Sequence, residues 1–159
     1  MSLLSNFFVQ SFIDNVIKDT VIPVKGSVVY CGLFGYAEHS GIYIGDNKIV
    51  HLDGSGIIEV VSPQQFIERL SGLNPAMSIY VSCNDSSATG TNTIAKRAKK
   101  MVGKNRKYHV ILDNCHQFTS GCITGNFDNA DNFLWMLKST AGNKLSTNKW
   151  RVWERKYSS

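Results

Sequence analysis

Hydrophobic residues recur through the first eighteen positions at helical spacing: Leu4, Phe8, Phe12 and Val16 form one row, with Val9, Ile13 and Ile17 beside it. A 3.6-residue period puts both rows on one wide apolar face, of the kind that packs on a sheet. Pro23 ends this helix, because proline offers no N–H to continue it. The period then changes. Val28 to Cys31, Gly41 to Ile44 and Lys48 to Leu52 are short and rich in β-branched residues. They read as strands, and Gly45-Asp46-Asn47 joins the last two as a hairpin. Ile57 to Val61 reads as a further strand. In Ser62-Pro63-Gln64-Gln65, Ser62 caps a helix, Pro63 suits its first position and Gln65 completes a capping box. That helix runs to the neighbourhood of Leu70.

In the second half, Ser78 to Ser82 reads as a strand and Ser86 to Gly90 as a loop. Ile94, Ala98, Met101 and Val102 mark an amphipathic helix stopped by Gly103. Tyr108 to Leu112 is a short extended entry into a helix from Asn114 to around Ile123. Phe133, Leu134 and Leu137 indicate a last helix, and Trp150 to Glu154 is either a closing strand or a docked tail. No internal repeat or low-complexity block interrupts the chain, so residues 1–159 are expected to form one domain with its core at 20–140. Helices around a mostly antiparallel sheet make it α+β.

With 43% hydrophobic and 18% charged residues the chain is globular rather than disordered. No apolar run approaches the roughly 20 residues of a membrane-spanning helix. Met1 to Lys18 lacks the features of a secretory signal, so a cytoplasmic protein is expected, with Cys31, Cys83, Cys115 and Cys122 as reduced thiols. No CxxC pair is present, and neither a metal nor another cofactor is expected. Seventeen basic residues against twelve acidic leave +5, and Lys96, Arg97, Lys99, Lys100, Lys104, Arg106 and Lys107 crowd into one segment. A solvated helix face is the ordinary reading, and anionic lipid headgroups are the alternative. No nucleic-acid motif accompanies the cluster, so no nucleic-acid partner is expected. The pattern sets no oligomeric state.

A cysteine enzyme needs a thiolate, a base to form it and a group to orient the base. Cys115 follows Asp113-Asn114, both good N-cap residues, and so falls in the first turn of its helix. Unpaired amides and the helix dipole there are expected to lower the thiol pKa and to receive an oxyanion. His39 and His51 flank the predicted hairpin. Pairing across its turn brings the imidazoles to one open end, within the roughly 5 to 8 Å spanned by opposed or diagonal side chains. His39 is then the base, and His51 fixes its tautomer and stabilises the imidazolium. Asn114 and Tyr43, which shares the strand face of His39, are candidates for positioning substrate or oxyanion. His116 is expected to project about 100° away from Cys115 and not to serve as its base. His109 is read as structural, Cys122 as a core residue, and Cys31 and Cys83 as buried and inert.

His39-Ser40-Gly41-Ile42-Tyr43-Ile44-Gly45-Asp46, then His51-Leu52, then Asn114-Cys115-His116-Gln117-Phe118 together resemble the lecithin:retinol acyltransferase family, within the wider NlpC-type cysteine hydrolase superfamily. The resemblance spans Gly26 to Gly125 and implies a circularly permuted papain-like fold. It also implies Cys115 as nucleophile, His39 as base and His51 as the third polar member. Relatives of this kind take an acyl chain from a phospholipid as a cysteine thioester and pass it to water, an amine or another acceptor. The implied partner is thus a phospholipid or other acyl donor, met peripherally at a membrane surface. A cysteine peptidase, amidase or isopeptidase of the same superfamily is the alternative. The chain departs from the family in carrying His116-Gln117 where Glu-His is usual, and a C-terminal membrane anchor like that of several members is not expected.

Overall fold

The computed structural model describes residues 19–33, 37–71, 78–107 and 114–155. The expected N-terminal helix, the Tyr108 to Leu112 segment and His109 lie outside the described residues. Among the described residues, eight strands form one sheet: β1 (Thr20–Val21), β2 (Val28–Leu33), β3 (Ala37–Gly45), β4 (Lys48–Leu52), β5 (Ile58–Val61), β6 (Tyr80–Asn84), β7 (Ser87–Ala88) and β8 (Lys149–Trp153). The strand order is β1-β8-β6-β2-β3-β4-β5, with β7 on β6. Every pair is antiparallel except β1 with β8. Four helices complete the described fold: α1 (Pro63–Ser71), α2 (Asn92–Met101), α3 (Cys115–Thr124) and α4 (Leu134–Leu145). The expected α+β class is the one observed.

The β3–β4 hairpin turns through Asp46 and Asn47, at φ 50° and 57°. Two successive left-handed residues match the strand twist, and short Asx side chains tolerate them. Pairing runs Gly45↔Lys48, Tyr43↔Ile49 and Ile42↔Val50. The capping box at α1 forms in both directions, Gln65 N–H donating to Ser62 Oγ (3.2 Å) and Ser62 N–H to Gln65 Oε1 (2.9 Å). Where a loop was expected at Ser86 to Gly90, the left-handed Asp85 (φ 51°) turns the chain back as β7, paired Cys83↔Ala88 and Asn84↔Ser87. Two residues carry too little alternation to register as a strand in sequence. The Ser78 to Ser82 expectation shifts to Tyr80–Asn84, and the C-terminal segment is the closing strand β8 rather than a docked tail.

Alternation along the strands divides two cores. Val28, Ile42, Ile44, Val50, Leu52 and Ile58 pack beneath α2, α3 and α4. Val29, Cys31, Ile49, Val61, Val81 and Trp153 pack with Phe66 and Ile67 of α1. Helix α3 is buried at every residue from Cys115 to Ile123. Its C-terminal carbonyls are held by Arg97, which donates to Cys122 O (3.2 Å) and Ile123 O (2.8 Å). Arg106 likewise donates to Phe127 O (3.0 Å). Two members of the basic cluster are therefore structural, while Lys96, Lys99, Lys100, Lys104 and Lys107 are exposed.

Candidate active site

His39 and His51 meet at the open end of the hairpin. Continuing the observed register sets Gly41 opposite His51, with His39 one diagonal step away on the same face. His39 Nε2 lies 2.5 Å from His51 Nδ1, and the rings cross at 82°. Gly41 makes this approach possible: a Cβ there would stand 2.8 Å from Val50 O and Ile49 Cγ2 and 3.3 Å from His51 Cβ. Phe66 supports both imidazoles, its centroid 4.8 Å from that of His39 and 5.8 Å from that of His51. On the far side of His51, Nε2 meets Glu59 Oε1 at 3.1 Å, across the direct β4–β5 pair His51↔Glu59.

The cysteine reaches β3 from the head of α3. Asn114 caps the helix in an extended conformation (φ −138°), its Oδ1 accepting from His116 N–H (3.0 Å) and Gln117 N–H (3.1 Å). Asn114 Nδ2 donates to Asn132 O at 2.5 Å, so both ends of this amide are committed to holding the helix head. Cys115 Sγ lies 3.9 Å from the carbonyl oxygen of Glu38 and against the backbone and hydroxyl of Ser40. The sulfur is thus bracketed by the two chain neighbours of His39. It sits along the N-terminal part of β3, before the Ile42↔Val50 pair with β4.

Burial corrects one expectation. A helix head was expected to lower the Cys115 pKa, but the enclosed thiol is pushed up to about 11 by desolvation. Hydrogen bonds from Ser40 and from the amides of His116 and Cys115 only partly offset this. The resting sulfur is a thiol, and removing its proton requires a base. Of the amides expected to receive an oxyanion, those of His116 and Gln117 are bonded to Asn114 Oδ1, and that of Phe118 to Asn114 O (3.1 Å).

His116 does not project clear of the site. Its Nδ1 stands 3.9 Å from Cys115 Sγ and 2.8 Å from Ser40 Oγ, which also meets Thr119 Oγ1 at 3.0 Å. Burial pulls its pKa from 6.5 down to about 4, so the ring is neutral at physiological pH. The unfolded chain binds a proton here near 6.5 and the folded chain only near 4, so stability falls as the pH drops through that window. The shift corresponds to about 3 kcal/mol. Urea unfolding at about pH 7 and about pH 4 is expected to show this loss, and His116→Gln to remove it from the difference between the two. An identical acid slope in wild type and variant would contradict the assignment.

Tyr43 packs edge-on against Trp153 (5.1 Å), and its hydroxyl accepts from Asn47 N–H at 3.4 Å. All four cysteines are free and buried. Burial pushes Cys31 up to about 12 and also raises Cys83 and Cys122. Among the described residues, no group of three or more His, Cys, Asp or Glu side chains is placed to hold a metal ion. Also among the described residues, no helix is long and apolar enough to cross a membrane. Sequence reasoning missed Glu59, Phe66 and Ser40. The short turn between His51 and the strand at Ile57 to Val61 held a signal for Glu59, since an antiparallel pairing there sets it opposite His51.

Human phospholipase A and acyltransferase 2 is 28% identical over 112 residues, which are 62% of this chain and 68% of that protein. The genome polyproteins of avian encephalomyelitis virus strains L2Z and Van Reokel are each 26% identical over 111 residues, 69% of this chain but 5% of the polyprotein. The family model described as lecithin retinol acyltransferase matches residues 23–128, from just before β2 to just after α3 and so including both histidines and the cysteine. The chain belongs to the lecithin retinol acyltransferase family.

Proposed function

We propose that this protein is a cysteine-dependent acyltransferase or acyl hydrolase acting on a lipid ester, of the phospholipase A/acyltransferase type, with Cys115 as nucleophile, His39 as base and His51 orienting it. The observation that carries the reading is the placement of the Cys115 sulfur against Glu38 and Ser40, on either side of a His39 already bonded to His51. Family membership and the human relative support the acyl chemistry.

In the first half-reaction the thiol proton passes to His39 as Sγ bonds to the ester carbonyl carbon. The carbonyl electron pair moves to oxygen, beside the Cys115 N–H at the helix head. Collapse of this intermediate breaks the ester C–O bond, and the leaving alkoxide takes the proton from His39. The product is a Cys115 thioester. In the second half-reaction water, an alcohol or an amine gives a proton to His39 and attacks the thioester, and the thiol is released with that proton. A thiol with a pKa of about 11 suits this course, since it loses its proton only as it attacks. Substrate is met at a membrane surface, where the exposed lysines of α2 suit anionic headgroups.

The test is intact-mass measurement after exposure to phosphatidylcholine vesicles. Wild type is expected to gain the mass of one acyl chain, removable by hydroxylamine, and Cys115→Ala to gain none. The same Cys115-dependent adduct from short-chain soluble esters would extend the donor range. No adduct from any acyl ester, on protein whose Cys115 still alkylates, would sink the proposal. Cleavage of an isopeptide-linked conjugate in its place, lost in Cys115→Ala, would assign peptidase chemistry.

A further inference from the structure

We propose that Glu59 is a positioning residue, the outer end of a Glu59–His51–His39 relay that decides which nitrogen of His39 carries the basic lone pair. The inference rests on the reading of His39 as the base. A carboxylate only accepts hydrogen bonds, so His51 Nε2, 3.1 Å from Glu59 Oε1, must be the protonated nitrogen. Neutral His51 then has its lone pair on Nδ1. That lone pair faces His39 Nε2 at 2.5 Å, so the proton between the rings belongs to His39 Nε2. Neutral His39 is left with its lone pair on Nδ1.

Chain geometry gives this outcome its use. Nδ1 is the ring nitrogen nearer the backbone, and the Cys115 sulfur lies against the backbone on both sides of His39. The relay therefore leaves the basic lone pair on the ring nitrogen nearer the stretch of backbone that the sulfur lies against. With the opposite tautomer of His51, a lone pair would face the carboxylate at 3.1 Å and an N–H would face His39. His39 would then hold its lone pair on Nε2, the nitrogen already facing His51. Once His39 has taken the thiol proton, its second N–H stays bonded to His51, and the Glu59 carboxylate balances the imidazolium through the neutral ring.

Glu59 suits substitution. It lies on β5, the end strand of the sheet, and its side chain is 29% exposed while that of His51 is fully buried. Glu59→Gln can present its amide oxygen to the same N–H, and is expected to keep kcat/KM within about threefold. Glu59→Ala is expected to lose about tenfold, and Glu59→Lys, whose head only donates, about 100-fold, with kcat affected rather than KM. The deciding readout is imidazole ¹⁵N NMR of His51. The Nε2–H form is expected in wild type and Glu59→Gln, with a shift towards Nδ1–H in Glu59→Lys. Finding Nδ1–H in wild type, or a His51 tautomer indifferent to lysine, would overturn the relay. This measurement needs no substrate. Tautomers as expected without a lipid adduct would reject the lipid reading and keep the relay, whereas an adduct with insensitive tautomers would reject the relay alone.

Discussion

Alanine at Cys115 is expected to take ester turnover to the uncatalysed rate, and alanine at His39 to lower kcat/KM by about 10²- to 10⁴-fold. With a thiol pKa of about 11, only about one Cys115 in 10⁴ is ionised at neutral pH without help. His39 must therefore supply the deprotonation that helix position alone does not. Alkylation by a small neutral reagent separates this loss from unfolding. In His39→Ala, the Cys115-dependent rate should climb tenfold per pH unit and level off near 11. That rate is the difference from Cys115→Ala, which removes any contribution from the other three thiols. His39→Gln, closer in volume, guards against collapse of the site around Phe66. A His39→Ala loss under about tenfold would remove His39 from the base role.

Truncating Phe66 to alanine should produce the largest loss of stability that also reaches the site. The ring is fully buried in the α1-side core and touches both imidazoles. Emptying such a position costs about 3 to 5 kcal/mol, from lost transfer energy and an incompletely closing cavity. For a domain of this size that lowers Tm on the order of 10 °C. Scanning calorimetry measures it, and kinetics at a temperature where the variant remains folded tests the coupling. Loss of the common support should lower kcat more than it raises KM, because the His39 ring then samples more orientations. Phe66→Leu, which refills most of the volume, should recover most of the Tm but less of kcat. A Tm change below about 2 °C for Phe66→Ala would show that neighbouring side chains close the gap.

Much of the site was legible because its parts are local. The hairpin register follows from a two-residue turn and strand alternation, so the meeting of His39 and His51 could be read from numbering alone. Asn114 announces a helix start by its residue type, and Cys115 follows directly. The misreadings share one cause, which is burial by elements distant in sequence. The head of a helix by itself favours a thiolate, but α3 is enclosed along its length and desolvation of the sulfur outweighs the amides. His116 was set aside from its angle on a helical wheel. Its actual partner, Ser40, is 76 residues upstream on β3.

By itself, the sequence determined the α+β class, the hairpin, the capped helix starts and the identity of three chemically apt residues, because turn, cap and alternation signals act over a few positions. Only the tertiary structure decided that the α3 head reaches β3 at Glu38 and Ser40, that Phe66 supports the two imidazoles and that Glu59 lies at the end of their hydrogen-bond chain. It also decided that the thiol at rest is neutral. Those outcomes depend on which surfaces exclude water from one another, and that is set by contacts between segments tens of residues apart.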